Sequence, residues 1–261
     1  MITSLQNQKI KNTVRLLDNS RERRSQNLFV IEGVRELAMA ISGGYTIRNV
    51  FVCDEITNVE GKKLLDSLNV HTDSVDRDVY RKIAYREDSD GIIAIAEYKH
   101  LSPEMVRLST NPLVIVVEAI EKPGNLGAIL RTADAAGVDA IVVCEPLTDL
   151  YNPNTIRSSI GCVFTQQILV CSGEEAYTWL KQSDIKIFAA VLTASHLFYN
   201  EDFRQSSALV LGSEANGLSN FWIQHADSLI KIPMHGKIDS LNVSTSAAIL
   251  TFEAIRQRKN Q

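Results

Sequence analysis

Short apolar runs, separated by stretches long enough for helices, constrain this chain more than any other feature. In the second half, residues 113–117, 140–143, 168–170, 187–191, 209–211 and 229–232 carry almost no polar residue. A strand that is apolar on both faces must be covered on both faces, which is the mark of a mostly parallel sheet between helical layers. Helices are expected near 126–136, 174–181 and 245–258, between and after those strands.

The first half alternates in the same way. A helix over 7–18 places Ile10, Val14 and Leu17 on one face, and the polar run 20–27 breaks it. Strands are expected at 28–31, 49–53, 70–75 and 91–97, with helices over 34–41, 61–68 and 79–84. Pro103 and Pro112 bracket an aperiodic stretch that reads as a connection. The fold class is therefore α/β in two domains, divided at 1–105 and 106–261, as the length of 261 residues also suggests.

Composition narrows the function classes. The 45% hydrophobic and 22% charged content is that of a soluble folded protein, and no apolar run reaches bilayer length. Lys9 has no apolar segment behind it, so no secretory signal is expected and the cytoplasm is the expected compartment. Cys53, Cys144, Cys162 and Cys171 are dispersed, as are the five histidines, and no ligand spacing for a metal appears. A net charge of −4 argues against a polycationic nucleic-acid binder. Cations nevertheless gather at the start: Lys9, Lys11, Arg15, Arg21, Arg23 and Arg24 against Asp18 and Glu22, with Arg256, Arg258 and Lys259 near the end. Such patches bind phosphate locally, though on charge alone they also read as a solvated surface.

In parallel sheets, ligands bind beyond the carboxyl ends of the strands, so the loops leaving those strands carry the chemistry. The first runs from Glu118 to Arg131 and contains Gly124, Asn125 and Gly127. Its glycines permit close backbone approach, and a helix start offers free amides to an anion. In isolation it also reads as a tight turn with an N-cap asparagine. A dinucleotide-binding turn stays open too: Gly124-x-x-Gly127 lacks the full G-x-G-x-x-G, but Glu145 follows about 20 residues later, as a ribose-binding acid would. The second loop, Gly212-Ser213-Glu214-Ala215-Asn216-Gly217, sets one carboxylate between glycines, either as a charge ahead of a helix over 220–225 or as an organiser of a site. The third, from Ile232 through Pro233 and Met234 to Ser240, Leu241, Asn242, Val243 and Ser244, has more small polar groups than one helix cap needs; Ser244 or Thr245 would serve as that cap.

Together the three loops resemble the motifs of the SpoU/TrmH family of RNA 2′-O-ribose methyltransferases, within the SPOUT superfamily. Asn125-x-Gly127 with Arg131 resembles the first motif, Gly212-x-Glu214-x-x-Gly217 the second, and Ile232-Pro233-Met234 followed by Ser240-Leu241-Asn242-Val243-Ser244 the third. Arg23-Arg24 followed by residues 28–33 resembles the RNA-binding domain that precedes many such catalytic domains.

The resemblance implies a deep trefoil knot in the C-terminal domain, a homodimer, and S-adenosylmethionine bound within the knot largely by main-chain groups. It implies cofactor contacts from Gly212, Ile232 and Leu241, together with Leu192, Thr193, Leu211, Gly217 and Met234. Asn125, Arg131, Glu214, Ser240 and Asn242 are the implied catalytic residues, and no metal is required. RNA, rRNA more than tRNA, is the implied partner, held by Lys9, Arg21, Arg23, Arg24 and Arg157. A guanidinium is too weak an acid to serve readily as a base, so Arg131 is expected to hold phosphate and stabilise an oxyanion. The rival readings are an NAD-dependent oxidoreductase using the first loop and a noncatalytic RNA-binding or assembly factor.

Overall fold

The computed structural model describes residues 1–86 and 89–259. The chain forms two compact units, Met1–Lys99 with Asp149–Thr165, and His100–Thr148 with Gln166–Gln261.

The first unit opens with α1 (Gln8–Asp18) and α2 (Ser20–Gln26), then β1 (Leu28–Glu32), α3 (Val34–Ser42), β2 (Ile47–Val52), α4 (Val59–Asp66), β3 (Thr72–Ser74), α5 (Arg77–Ile83) and β4 (Ile92–Glu97). Its sheet has the order β1-β4-β2-β3. The pairs of β4 with β1 and β2 are antiparallel, whereas β2 and β3 are parallel. Ile10 and Leu16 of α1 join Phe51, Val79, Tyr80 and Ile93 in the core, while Val14 and Leu17, expected on the same face as Ile10, are only partly buried against it.

The polar run does end α1, at Asp18, but is itself helical rather than a loop. Asn19 Oδ1 accepts the amides of Arg21 at 2.8 Å and Glu22 at 3.4 Å, which caps a new helix. The buried residue of that helix is Arg23, whose Nε lies 2.5 Å from Asp149 Oδ2 and whose Nη1 donates to the carbonyls of Leu16 and Leu17.

The second unit holds β5 (Leu113–Glu118), α6 (Pro123–Ala136) and β6 (Ala140–Cys144). After α7 (Pro153–Ser158), which belongs to the first unit, come β7 (Ile168–Cys171), α8 (Gly173–Gln182), β8 (Lys186–Ala190), β9 (His196–Leu197), β10 (Ser207–Leu211), α9 (Asn220–His225), β11 (Ser228–Lys231) and α10 (Val243–Lys259). The seven strands lie in the order β7-β6-β5-β10-β8-β11-β9, and all their pairings are parallel. The expected parallel α/β sheet is present. Val114, Val116, Val142, Ile187 and Val210 fill one side of it with Trp179 and Trp222.

Strand order decides where the loops meet. β10 lies between β5 and β8, although it follows both in the chain. The loop leaving β10 is thus flanked by the one leaving β5 and the one leaving β8, with the β11 loop next beyond. Among the described residues no helix is long and apolar enough to cross a membrane.

Candidate active site

Gly212 forms the tightest part of the β10 loop. A Cβ at this position would lie 2.1 Å from the carbonyl carbon of Gly217 and 2.3 Å from the amide of Leu218. The close approach lets Ser213 and Gly217 exchange main-chain hydrogen bonds of 3.1 and 3.0 Å, and Gly217 closes the turn at φ +67°. Glu214 projects from this narrow loop.

The loop's far end is anchored by Glu118, a buried carboxylate at the end of β5. Its oxygens accept the Ser219 amide and the Ser219 hydroxyl, each at 2.7 Å.

Pro123 begins α6 with its φ preset for a helix, and Lys122 occupies the capping position without a side-chain cap bond. Asn125 is therefore not the cap, and its side chain reaches across to the β10 loop. Asn125 Nδ2 donates to Glu214 Oε1 at 2.7 Å, and Asn242 Nδ2 donates to the same oxygen at 2.5 Å. Asn242 Nδ2 also lies 3.2 Å from Asn125 Oδ1. Asn242, rather than Ser244 or Thr245, caps α10: its Oδ1 accepts the Ser244 amide at 2.9 Å and hydroxyl at 2.6 Å, while its carbonyl accepts the Ser246 amide. One asparagine thus ends the third loop and ties it to the other two.

Lys122 Nζ lies 2.7 Å from Glu214 Oε2. The hydrogen bond from Lys122 is the main reason that the Glu214 carboxyl sits below the usual glutamate range; partial burial opposes it and the Asn125 amide adds to it. Glu214 is consequently ionised at neutral pH, where it accepts from Lys122, Asn125, Asn242 and the Val243 main-chain amide.

Beside this cluster is a cavity of about 610 Å³ between the ends of β8, β10 and β11. Leu192, Leu211, Gly212, Gly217, Ile232, Met234 and Leu241, seven of the eight cofactor residues expected from sequence, line it. Thr193 does not, although it follows Leu192 directly. Glu214, Ser240 and Asn242 also face the cavity, with Asp239 beside Ser240. Arg131 is exposed on α6, outside the Asn125–Glu214–Asn242 cluster, and its guanidinium forms no ion pair among the described residues.

The expected RNA-binding cations divide. Arg21, Arg24 and Arg157 are exposed, and Lys9 is half-exposed but paired with Asp73 at 2.6 Å. Arg23 is 2% exposed and committed to Asp149, so, against the sequence expectation, it is not available to RNA. Of the C-terminal cations, Arg258 clamps the carbonyls of Phe203, Asn111, Pro112 and Gln205, and Arg256 pairs with Glu253. Glu118 and Lys122 escaped the sequence reading; a carboxylate ending a buried strand was the available signal for the first.

The dinucleotide reading finds no support. Glu145, its proposed ribose acid, accepts the Gly173 amide at the start of α8 at 3.0 Å. The cavity is built by the later loops, not by the glycines of α6.

The model of the SpoU rRNA Methylase family matches residues 112–252. The chain belongs to the SpoU rRNA methylase family. A substrate-binding domain of the MRM3-like type matches residues 7–94. A 23S rRNA (guanosine(2553)-2′-O)-methyltransferase, RlmP of Bacillus subtilis, is 29% identical over 251 residues, covering 96% of this chain and 97% of its own. Among solved structures, an RNA 2′-O ribose methyltransferase shares 39% identity at a TM-score of 0.86, with 99% of both chains covered. The SpoU methyltransferase AviRb from Streptomyces viridochromogenes, solved with AdoMet, gives a TM-score of 0.91 at 25% identity, covering 97% of this chain and 99% of its own.

The cavity suits S-adenosylmethionine. Its volume falls within the roughly 300–1,000 Å³ of small-ligand clefts. Leu211, Ile232 and Leu241 offer apolar surface to a purine, the glycine loop offers main-chain groups, and Glu214 and Asp239 offer negative charge to a cationic ligand.

Proposed function

We propose that this chain transfers the methyl group of S-adenosylmethionine to a ribose 2′-hydroxyl of ribosomal RNA, of the 23S type rather than tRNA. The observation that carries this reading is the meeting of three loops, from distant parts of the sequence, in one hydrogen-bonded Asn125–Glu214–Asn242 cluster beside one cavity.

Bound S-adenosylmethionine supplies an electrophilic methyl group whose departure leaves a neutral thioether. Leu192, Leu211, Gly212, Gly217, Ile232, Met234 and Leu241 hold it. The ribose hydroxyl is a very weak acid, so the protein must place it and stabilise the charge that develops on oxygen. Arg131 supplies that charge stabilisation. It is an exposed cation with no acidic partner among the described residues, available to a backbone phosphate. Asn125 and Asn242 orient the ribose, Glu214 fixes the loops that carry them, and Ser240 shapes the cavity mouth.

The RNA-binding part is Met1–Lys99 with Asp149–Thr165, rather than 1–105 as expected from sequence, and the rest of the chain is the knotted methyltransferase part. RNA is gripped by Arg21, Arg24 and Arg157, with Lys9 at the margin. The protein works in the cytoplasm as a homodimer in rRNA processing, without metal.

Mass-spectrometric mapping of rRNA 2′-O-methylation tests this in cells that lack the protein. One site should disappear, return with the wild-type chain, and stay absent with Arg131→Ala. A methylation map that does not change on deletion would defeat the proposal.

A further inference from the structure

Lys122 has no part in the reaction as described, yet its placement gives it one. Its ammonium takes Glu214 Oε2 at 2.7 Å and leaves Oε1 to the Asn125 and Asn242 amides. The four side chains come from three segments: the start of α6, the loop after β10 and the residue before α10.

We propose that Lys122 is a positioning residue for methyl transfer: by holding one oxygen of Glu214 it turns the other towards Asn125 and Asn242 and fixes both amides at the cavity mouth. The catalytic consequence rests on the methyl-transfer reading above, whereas the arrangement itself does not.

The physical case is one of geometry. A carboxylate has two oxygens, and a terminal carboxylate torsion is broad and roughly two-fold. With Oε2 unclaimed, either amide could take either oxygen, and water would compete for both. An ammonium on Oε2 removes that freedom. Lys122 is 69% exposed, so its ion pair contributes little stability by itself. Its effect lies in selecting an arrangement.

Charge acts in the same direction. Lys122 is the cation facing Glu214; the carboxylate's other partners are the neutral Asn125 and Asn242 side chains and the Val243 main-chain amide, and Glu121 acts on Lys122 from the preceding position. The folded Glu214 carboxyl is shifted downward, so the cluster is intact above the ordinary glutamate value of about 4.3 and is lost as pH falls through the depressed value. Without Lys122 that loss should occur at higher pH.

Two readouts on the full-length protein test this with K122M and K122R. In NMR spectra, the side-chain NH₂ signals of Asn125 and Asn242, assigned through single replacements, should shift or broaden in K122M and return to wild-type positions in K122R. In assays on unmodified 23S rRNA, K122M should lower kcat by about 10- to 100-fold, leave the KM for S-adenosylmethionine nearly unchanged, and move the acid limb of kcat upward in pH; K122R should recover most of kcat. Wild-type amide signals in K122M would overturn the proposal, as would a K122M enzyme with wild-type kcat and pH profile. Failure of the wild-type protein to methylate any rRNA would count against the methyl-transfer reading alone, and the amide signals would still decide the part played by Lys122.

Discussion

A methyl group on Gly212 would sit 2.1 Å from main-chain carbon and 2.2 Å from main-chain oxygen of Gly217, with no flexible side chain to yield. The β10 loop can keep its present path only with glycine there. Gly212→Ala should therefore weaken S-adenosylhomocysteine binding at least tenfold in calorimetry while leaving the urea midpoint close to wild type, because the strain falls in a loop and not in the core. Binding within twofold of wild type would mean that the loop has another path. Glu118 and Lys122 extend the same logic: each holds the β10 loop from a different side, through bonds to Ser219 and Glu214.

Helix α2 illustrates how one element can be hidden in a sequence and still organise its unit. It contains no apolar side chain, so no 3.6-residue period announces it, and its buried member is an arginine. Arg23 and its partner Asp149 are both nearly inaccessible, and Tyr98 and the Tyr151 amide also contact that carboxylate. Removing the cation leaves a buried charge without its counterion, which costs about 3 kcal/mol or more. Arg23→Met should lower unfolding stability by that amount with little change in the salt dependence of RNA binding. The exposed pair should behave inversely: Arg21→Ala with Arg24→Ala should leave stability nearly intact and flatten the salt dependence by about 0.7–0.9 for each phosphate that is no longer neutralised. An Arg23→Met protein of wild-type stability would contradict the burial argument. An unchanged salt slope in the double variant would return Arg21 and Arg24 to ordinary surface.

The strands and long helices were legible because their apolar content and period reflect what they bury, as in β5, β6 and α10. The three loops were legible because glycines and small polar residues crowd at strand ends. What the sequence did not disclose were pairings across distance. Ser219 meets Glu118 from 101 residues away, and Asn242 meets Asn125 from 117. The segment Asp149–Thr165 likewise folds with the first unit, through Tyr151 stacked on Phe29 at 4.2 Å, though it lies in the second half of the chain. Such contacts depend on strand order, which a single sequence does not encode locally.

For the whole molecule, the parallel sheet, the cavity at its carboxyl edge and membership of the SpoU family converge on one chemistry. The most direct test is methyl transfer in vitro. Protein, S-adenosylmethionine labelled on its methyl group and unmodified 23S rRNA, with tRNA as a parallel substrate, are incubated, digested to nucleosides and analysed by mass spectrometry. Label should appear in a single 2′-O-methylnucleoside from the rRNA. Label on a base, or no label in either RNA while the cofactor binds, would contradict the account.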